Sequence, residues 1–186
     1  MPVSVVSAVV RVRWFLVAVV VLAGLAGGLY LDSEDGSVDS LPAWSEIQPS
    51  LTLEESTTED LVHERINEAR EERGLEPLPA DSELQHVARA HSEDMAERGF
   101  FNHTTPDGVD PETRVERAGV ECRAVGENIV TLSRSNHEEP LADDIVEAWL
   151  DSPGHLMNIV SDNWERTALG VVADDDTVYV TQKFCS

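Results

Sequence analysis

Apolar residues are distributed along this chain in two different ways. From Trp14 to Leu31 they run without a single charge, preceded by Arg11 and Arg13 and followed by an acidic stretch from Asp32 onward. At ~1.5 Å of rise per helical residue, such a run just reaches the roughly 30 Å of a bilayer core. The arginines would stay inside and the body of the chain would cross. On this reading residues 1–31 are an N-terminal transmembrane helix, and the protein is a single-pass cell-membrane protein with its C-terminal part extracellular. The competing reading is a cleaved signal segment, because Ala23 to Gly27 offers small residues to a peptidase. The product would then be secreted, so both readings export the rest of the chain.

Residues 32–56 hold no helical or strand period and are rich in Ser, Asp, Glu, Thr and Pro, as expected of a flexible acidic linker. From residue 57 the pattern becomes periodic, which makes residues 57–186 the folded domain. Thr57 or Thr58 can cap a helix carrying Leu61, Val62, Ile66 and Ala69 on one face, with Gly74 as its stop. A second helix is predicted from near Asp81 to Arg98, burying Leu84, Val87, Ala88, His91 and Met95 and ending at Gly99. The segment from Phe100 to Gly108 reads as a structured loop. A short helix is expected from Pro111 to Ala118, and a strand from Gly126 to Thr131.

Asp143, Ile145, Val146, Trp149 and Leu150 suit another amphipathic helix, and Ser152-Pro153 reads as the cap and first position of one more. The tail is a β-hairpin, from Ala168 to Ala173 and from Thr177 to Phe184, turning on Asp174-Asp175-Asp176. Helices before and between strands, closed by a hairpin, predict an α/β fold in which helices cover a small, mostly antiparallel sheet.

Charge narrows the partners. The 186 residues carry a formal net charge of -23, from 36 acidic and 13 basic residues, so a nucleic acid held through its phosphates is excluded as a partner. Lys183 is the sole lysine among the basic residues. Acid-rich, lysine-poor usage resembles the proteins of extreme halophiles, such as halophilic archaea, where salt screens the self-repulsion of such a surface. The two cysteines, Cys122 and Cys185, fit one disulfide in an exported domain, closing a long loop worth up to about 4 kcal/mol. Two buried free thiols are the alternative.

Candidate chemistry rests on His103 in the loop, Glu127 at the edge of the predicted strand, and His155 in the first turn of the last helix. Two imidazoles and a carboxylate are a ligand set for zinc or another divalent cation with one position open, if the fold brings them together. The partial positive field at a helix start favours neutral imidazole at His155. Against this stands the ordinary fate of a histidine, a hydrogen-bonded structural residue. His91, on an apolar stripe, reads as such a buried residue, and Asn128 as a partner for the backbone of the His103 loop.

Five strings stand in order along the chain. They are His91-Ser92-Glu93-Asp94-Met95, Phe100-Phe101-Asn102-His103-Thr104, Gly126-Glu127-Asn128-Ile129, Trp149 to His155, and Tyr179 to Phe184. Together they resemble the prokaryotic branch of the CAP superfamily, named for cysteine-rich secretory proteins, antigen 5 and pathogenesis-related proteins. The resemblance covers roughly residues 57–186. It implies a three-layer α/β/α sandwich with a central cleft lined by two histidines and acidic groups, at positions matched by His103, Glu127 and His155. Animal members often carry a second glutamate three residues past the tryptophan matching Trp149, and here that position is Ser152.

The resemblance implies a cell-surface binding or scaffolding module for lipid, small-molecule or surface-protein ligands. A metal-assisted hydrolase or peptidase, with Glu127 as ligand or base, is the second expectation. A structural envelope protein is the third. No serine or cysteine nucleophile with a positioned base is evident. The composition itself is testable by thermal unfolding of the purified chain in dilute buffer and in molar salt. A clearly higher midpoint in molar salt is expected, and equal midpoints would contradict the halophilic reading.

Overall fold

The computed structural model describes residues 53–186. The apolar run at 14–31 and most of the acidic stretch after it lie outside the described residues, among which no helix is long and apolar enough to cross a membrane. The elements follow in the order α1 (Glu55–Glu71), α2 (Ser82–Arg98), α3 (Pro111–Arg117), β1 (Val125–Ser133), α4 (Glu138–Leu150), α5 (Pro153–Ile159), β2 (Arg166–Asp174) and β3 (Thr177–Cys185). The folded part takes in the last residues of the expected tether, since Leu53 is buried in the core and α1 begins at Glu55.

The strands form an antiparallel sheet in the order β1-β3-β2. Side chains alternate across a strand, so β3 serves two cores. Val178, Val180 and Phe184 join α1 and α4 through Val62, Ile66, Leu141, Ile145 and the fully buried Trp149. Cys185 joins Leu84 and Val87 of α2, Val115 of α3 and Ala168 of β2. Helices on both sheet faces give the expected three layers.

Local chemistry explains where the helices begin and end. Asp81 caps α2 by accepting from the backbone N–H groups of Glu83 and Leu84, and Gly99 ends it in the left-handed conformation at φ 64°. Asp110 caps α3 through the N–H of Thr113, with Pro111 following where a missing N–H costs nothing. In α4, Pro140 falls within the first turn, where prolines are tolerated, and the helix starts five residues ahead of Asp143. Buried Arg70 of α1 donates to the carbonyls of Ile159 and Ser161, satisfying acceptors at the end of α5.

Two devices fix α2 on the sheet. Glu59 of α1, 2 % exposed, accepts from Arg89 and Gln85 of α2 and from the backbone N–H of Val171 in β2, so one buried carboxylate bridges three elements. Gly170 is the closest approach, since a Cβ there would lie 2.2 Å from the backbone nitrogen of Arg89. Ser92 adds a bond from its hydroxyl to the Gly170 carbonyl at 2.9 Å.

Cys122 and Cys185 are joined in a disulfide, with Cα atoms 5.4 Å apart and a sequence separation of 63. The bond ties the loop before β1 to the end of β3.

Replacing Gly170 by alanine forces α2 off the sheet. The change should cost about 1–3 kcal/mol in denaturant unfolding, the usual range for an overpacked core. A cost below about 0.5 kcal/mol, that of an ordinary surface change, would show that α2 does not sit this close.

Candidate functional site

Register places the central carboxylate. Glu127 in β1 stands directly across from Lys183 in β3, and Ala168 of β2 completes the row. The row faces α2, and a slip of one residue would turn Glu127 to the opposite face. Gly126 precedes it because the Trp164 ring lies against the strand there. A Cβ on Gly126 would come within 2.7 Å of Trp164 Cζ2.

Glu127 is 7 % exposed and its carboxylate is surrounded. Oε1 accepts from His103 Nδ1 at 2.8 Å and lies 3.9 Å from His91 Nε2. Oε2 takes Arg114 Nη2 at 2.7 Å and Lys183 Nζ at 2.5 Å. Burial alone would raise the Glu127 pKa. The hydrogen bond from His103 and the charges of Lys183 and Arg114 overcome this and hold it at about 2. Burial lowers the Lys183 pKa to about 8, against the pull of Glu127 toward a higher value. At neutral pH both groups are ionised.

The surrounding elements hold these partners in place. Arg114 of α3 also donates to the carbonyls of His103 and Val109, pinning the loop that carries His103. His91 is fully buried, and burial lowers its pKa to about 4, so its ring is neutral. Its Nε2 faces the Asn102 carbonyl at 3.1 Å and therefore carries the hydrogen. His91 thus fills its expected structural role while standing beside the carboxylate.

His155 sits in the first turn of α5, half-buried, with its pKa lowered by burial and then by nearby His103. An amide relay ties its helix to the strand of Glu127. Asn158 Nδ2 donates to the Glu127 carbonyl at 3.2 Å and to Asn128 Oδ1 at 2.8 Å. Asn128 Nδ2 reaches the His155 carbonyl and Gln182 Oε1, both at 3.3 Å. Asn128 therefore serves the His155 segment and not the His103 loop, because it points to the other sheet face from Glu127. His103 and Glu127 are in direct contact, and His155 stands in the same region without bonding the carboxylate.

Of the expected ligand set of His103, Glu127 and His155, the structure brings His103 and Glu127 into direct contact. Among the described residues no group of three His, Cys, Asp or Glu side chains is disposed to hold a metal. Both Glu127 oxygens are taken by internal partners, and His103 meets Glu127 through Nδ1, a bond that orients the imidazole and leaves Nε2 as its other nitrogen.

Two of these partners lie beyond the sequence-predicted set. Arg114 carries no signal that separates it from any helix arginine. Lys183 does carry one, as the chain's sole lysine within a strand that is otherwise buried.

Because the folded-state pKa of Glu127 lies below its ordinary 4.5, the unfolded chain binds more protons between pH 4.5 and about 2. Its contribution is complete above pH 4.5 and lost as pH falls toward 2, up to about 3 kcal/mol at ~1.4 kcal/mol per pH unit. Urea unfolding across this window should show a steeper loss for the wild type than for Glu127→Gln. Equal slopes would mean that the carboxylate is not specially held.

This arrangement has relatives. The profile of CAP, the Cysteine-rich secretory protein family, matches residues 63–184. An uncharacterized Bacillus subtilis protein, YkwD, is 30% identical over 143 residues, covering 75% of this chain and 53% of its own length. An uncharacterized membrane protein of the same species, YlbC, is 28% identical over 179 residues, covering 84% of this chain and 49% of its own. The chain thus spans about half the length of the curated relatives it matches. Among solved structures, an extracellular protein containing a SCP domain from Bacillus anthracis superposes with a TM-score of 0.59 at 29% identity, over 70% of this chain and 41% of that one. The chain belongs to the cysteine-rich secretory protein family, the CAP family.

Proposed function

We propose that this protein is an extracellular binding module, held at the cell membrane by its N-terminal apolar segment, and that its cleft takes an amphipathic ligand. One observation carries the ligand class. Among the described residues the exposed large hydrophobics are Phe101 and Met157, at 49% and 69% exposure. Each lies two positions in sequence from one of the candidate site histidines, Phe101 on the loop of His103 and Met157 on the helix of His155. Apolar side chains left in water on the segments that carry the site would give a ligand apolar contacts beside its polar ones. The polar part of the ligand would meet His103 and His155, and its apolar part would cover Phe101 or Met157.

The export reading is supported by the charge order of the N-terminal segment, by a relative named as a membrane protein, and by a solved neighbour named as extracellular. A metal-assisted hydrolase finds no supporting observation, since Glu127 is bound to Lys183, Arg114 and His103 and does not stand free as a base.

The test is fluorescence titration of the purified full chain with a dansyl-labelled fatty acid. Saturable binding is expected, weakened about tenfold or more in the double variant Phe101→Ser with Met157→Ser, as the loss of one buried apolar side chain implies. Binding that both substitutions leave unchanged, or no saturable binding at all, would overturn the reading.

A further inference from the structure

The chain's sole lysine is in an unusual place for its composition. In a protein of net charge -23, a lysine on the surface would relieve self-repulsion, yet Lys183 is 0% exposed. It lies beneath the candidate site, 2.5 Å from Glu127 Oε2, with Arg114 on the same oxygen at 2.7 Å. Burying an ammonium costs several kcal/mol unless it is well paired, so this lysine is held where its charge acts on the carboxylate. The rest of the row gives it no second acid. Ala168 is its neighbour on the β2 side, and Glu127 is the acidic side chain it contacts.

From this we propose that Lys183 is a built-in counter-cation, and that it makes the cleft of this chain reject divalent metal ions. An ammonium and a metal ion compete for the same electrostatic vacancy beside Glu127. Lys183 and Arg114 both occupy Oε2 of Glu127, with Asp110 and Glu112 acting on them from the start of α3, so the carboxylate is already matched by cations of this chain. A positive charge a few ångströms away opposes any further cation beside Glu127, and a dication about twice as strongly as a monocation. Lys183 neutralises Glu127 permanently, independent of metal supply, and leaves His103 and His155 free to meet a ligand through hydrogen bonds. The exclusion concerns the ion alone and holds whichever ligand the cleft takes.

Zinc alone is the probe, titrated calorimetrically into the full chain at neutral pH. Three proteins are compared with the wild type: Lys183→Met, Lys183→Gln, and Lys183→Met combined with Glu127→Gln. The wild type should show no stoichiometric site. Either single variant should bind one zinc at least about 100-fold more tightly, the order set by removing one nearby positive charge. The double variant should lose that gain, because it lacks the freed carboxylate. Lys183→Gln keeps a hydrogen-bond donor opposite Glu127 and so covers the case in which the methionine variant does not fold, with circular dichroism reporting which variants are native. Stoichiometric zinc on the wild type at micromolar concentration overturns the proposal without reference to any variant. So does a folded single variant whose zinc affinity equals that of the wild type.

Discussion

One cross-strand pair organises the candidate site. Antiparallel pairing of β1 with β3 sets Glu127 against Lys183, and the two charges are buried together between the sheet and α2. A buried ion pair is a poor source of net stability, since desolvation of both groups consumes most of the attraction. It is a strong constraint on arrangement, however, because removing one partner strands the other. The elements around the candidate site answer to it. α3 contributes Arg114, the loop before α3 contributes His103, α2 contributes the neutral His91, and α5 is tied to the same strand through Asn158.

The remainder of the fold keeps this pair in register. Glu59 and Gly170 seat α2 against β2, so that His91 reaches the carboxylate. The disulfide holds Cys185, two residues past Lys183, to the loop that leads into β1. Trp164 stacks on Phe184 at 5.6 Å and covers Gly126, closing the strand end next to Glu127.

Much of this fold is legible in the amino-acid sequence. Asp81 and Gly99 bracket α2 through cap chemistry that depends on local backbone alone, and the acidic turn at Asp174 to Asp176 marks the hairpin by composition. Short strings single out His103, Glu127 and His155, and the first two do meet. What a sequence does not carry is direction. Residues Thr181 to Cys185 are buried on both sheet faces, so no alternation of polar and apolar positions shows that Lys183 points inward to Glu127. Asn128 meets a different neighbour from the one expected for the same reason. Adjacent strand residues point to opposite faces, and only the register says which helix each face meets. The partners that Glu127 takes at Oε2 likewise come from distant segments on either side of it, at Arg114 and Lys183, and no local pattern announces them.

Glu127 is, on this account, an anion fixed by its neighbours. Carbon-detected NMR of its side-chain carboxyl, through an acid titration of the folded protein, tests this most directly. The resonance should keep its ionised position through pH 4.5 and move only toward pH 2. A midpoint at or above 4.5 would mean that burial dominates and that His103, Arg114 and Lys183 do not hold the carboxylate as described.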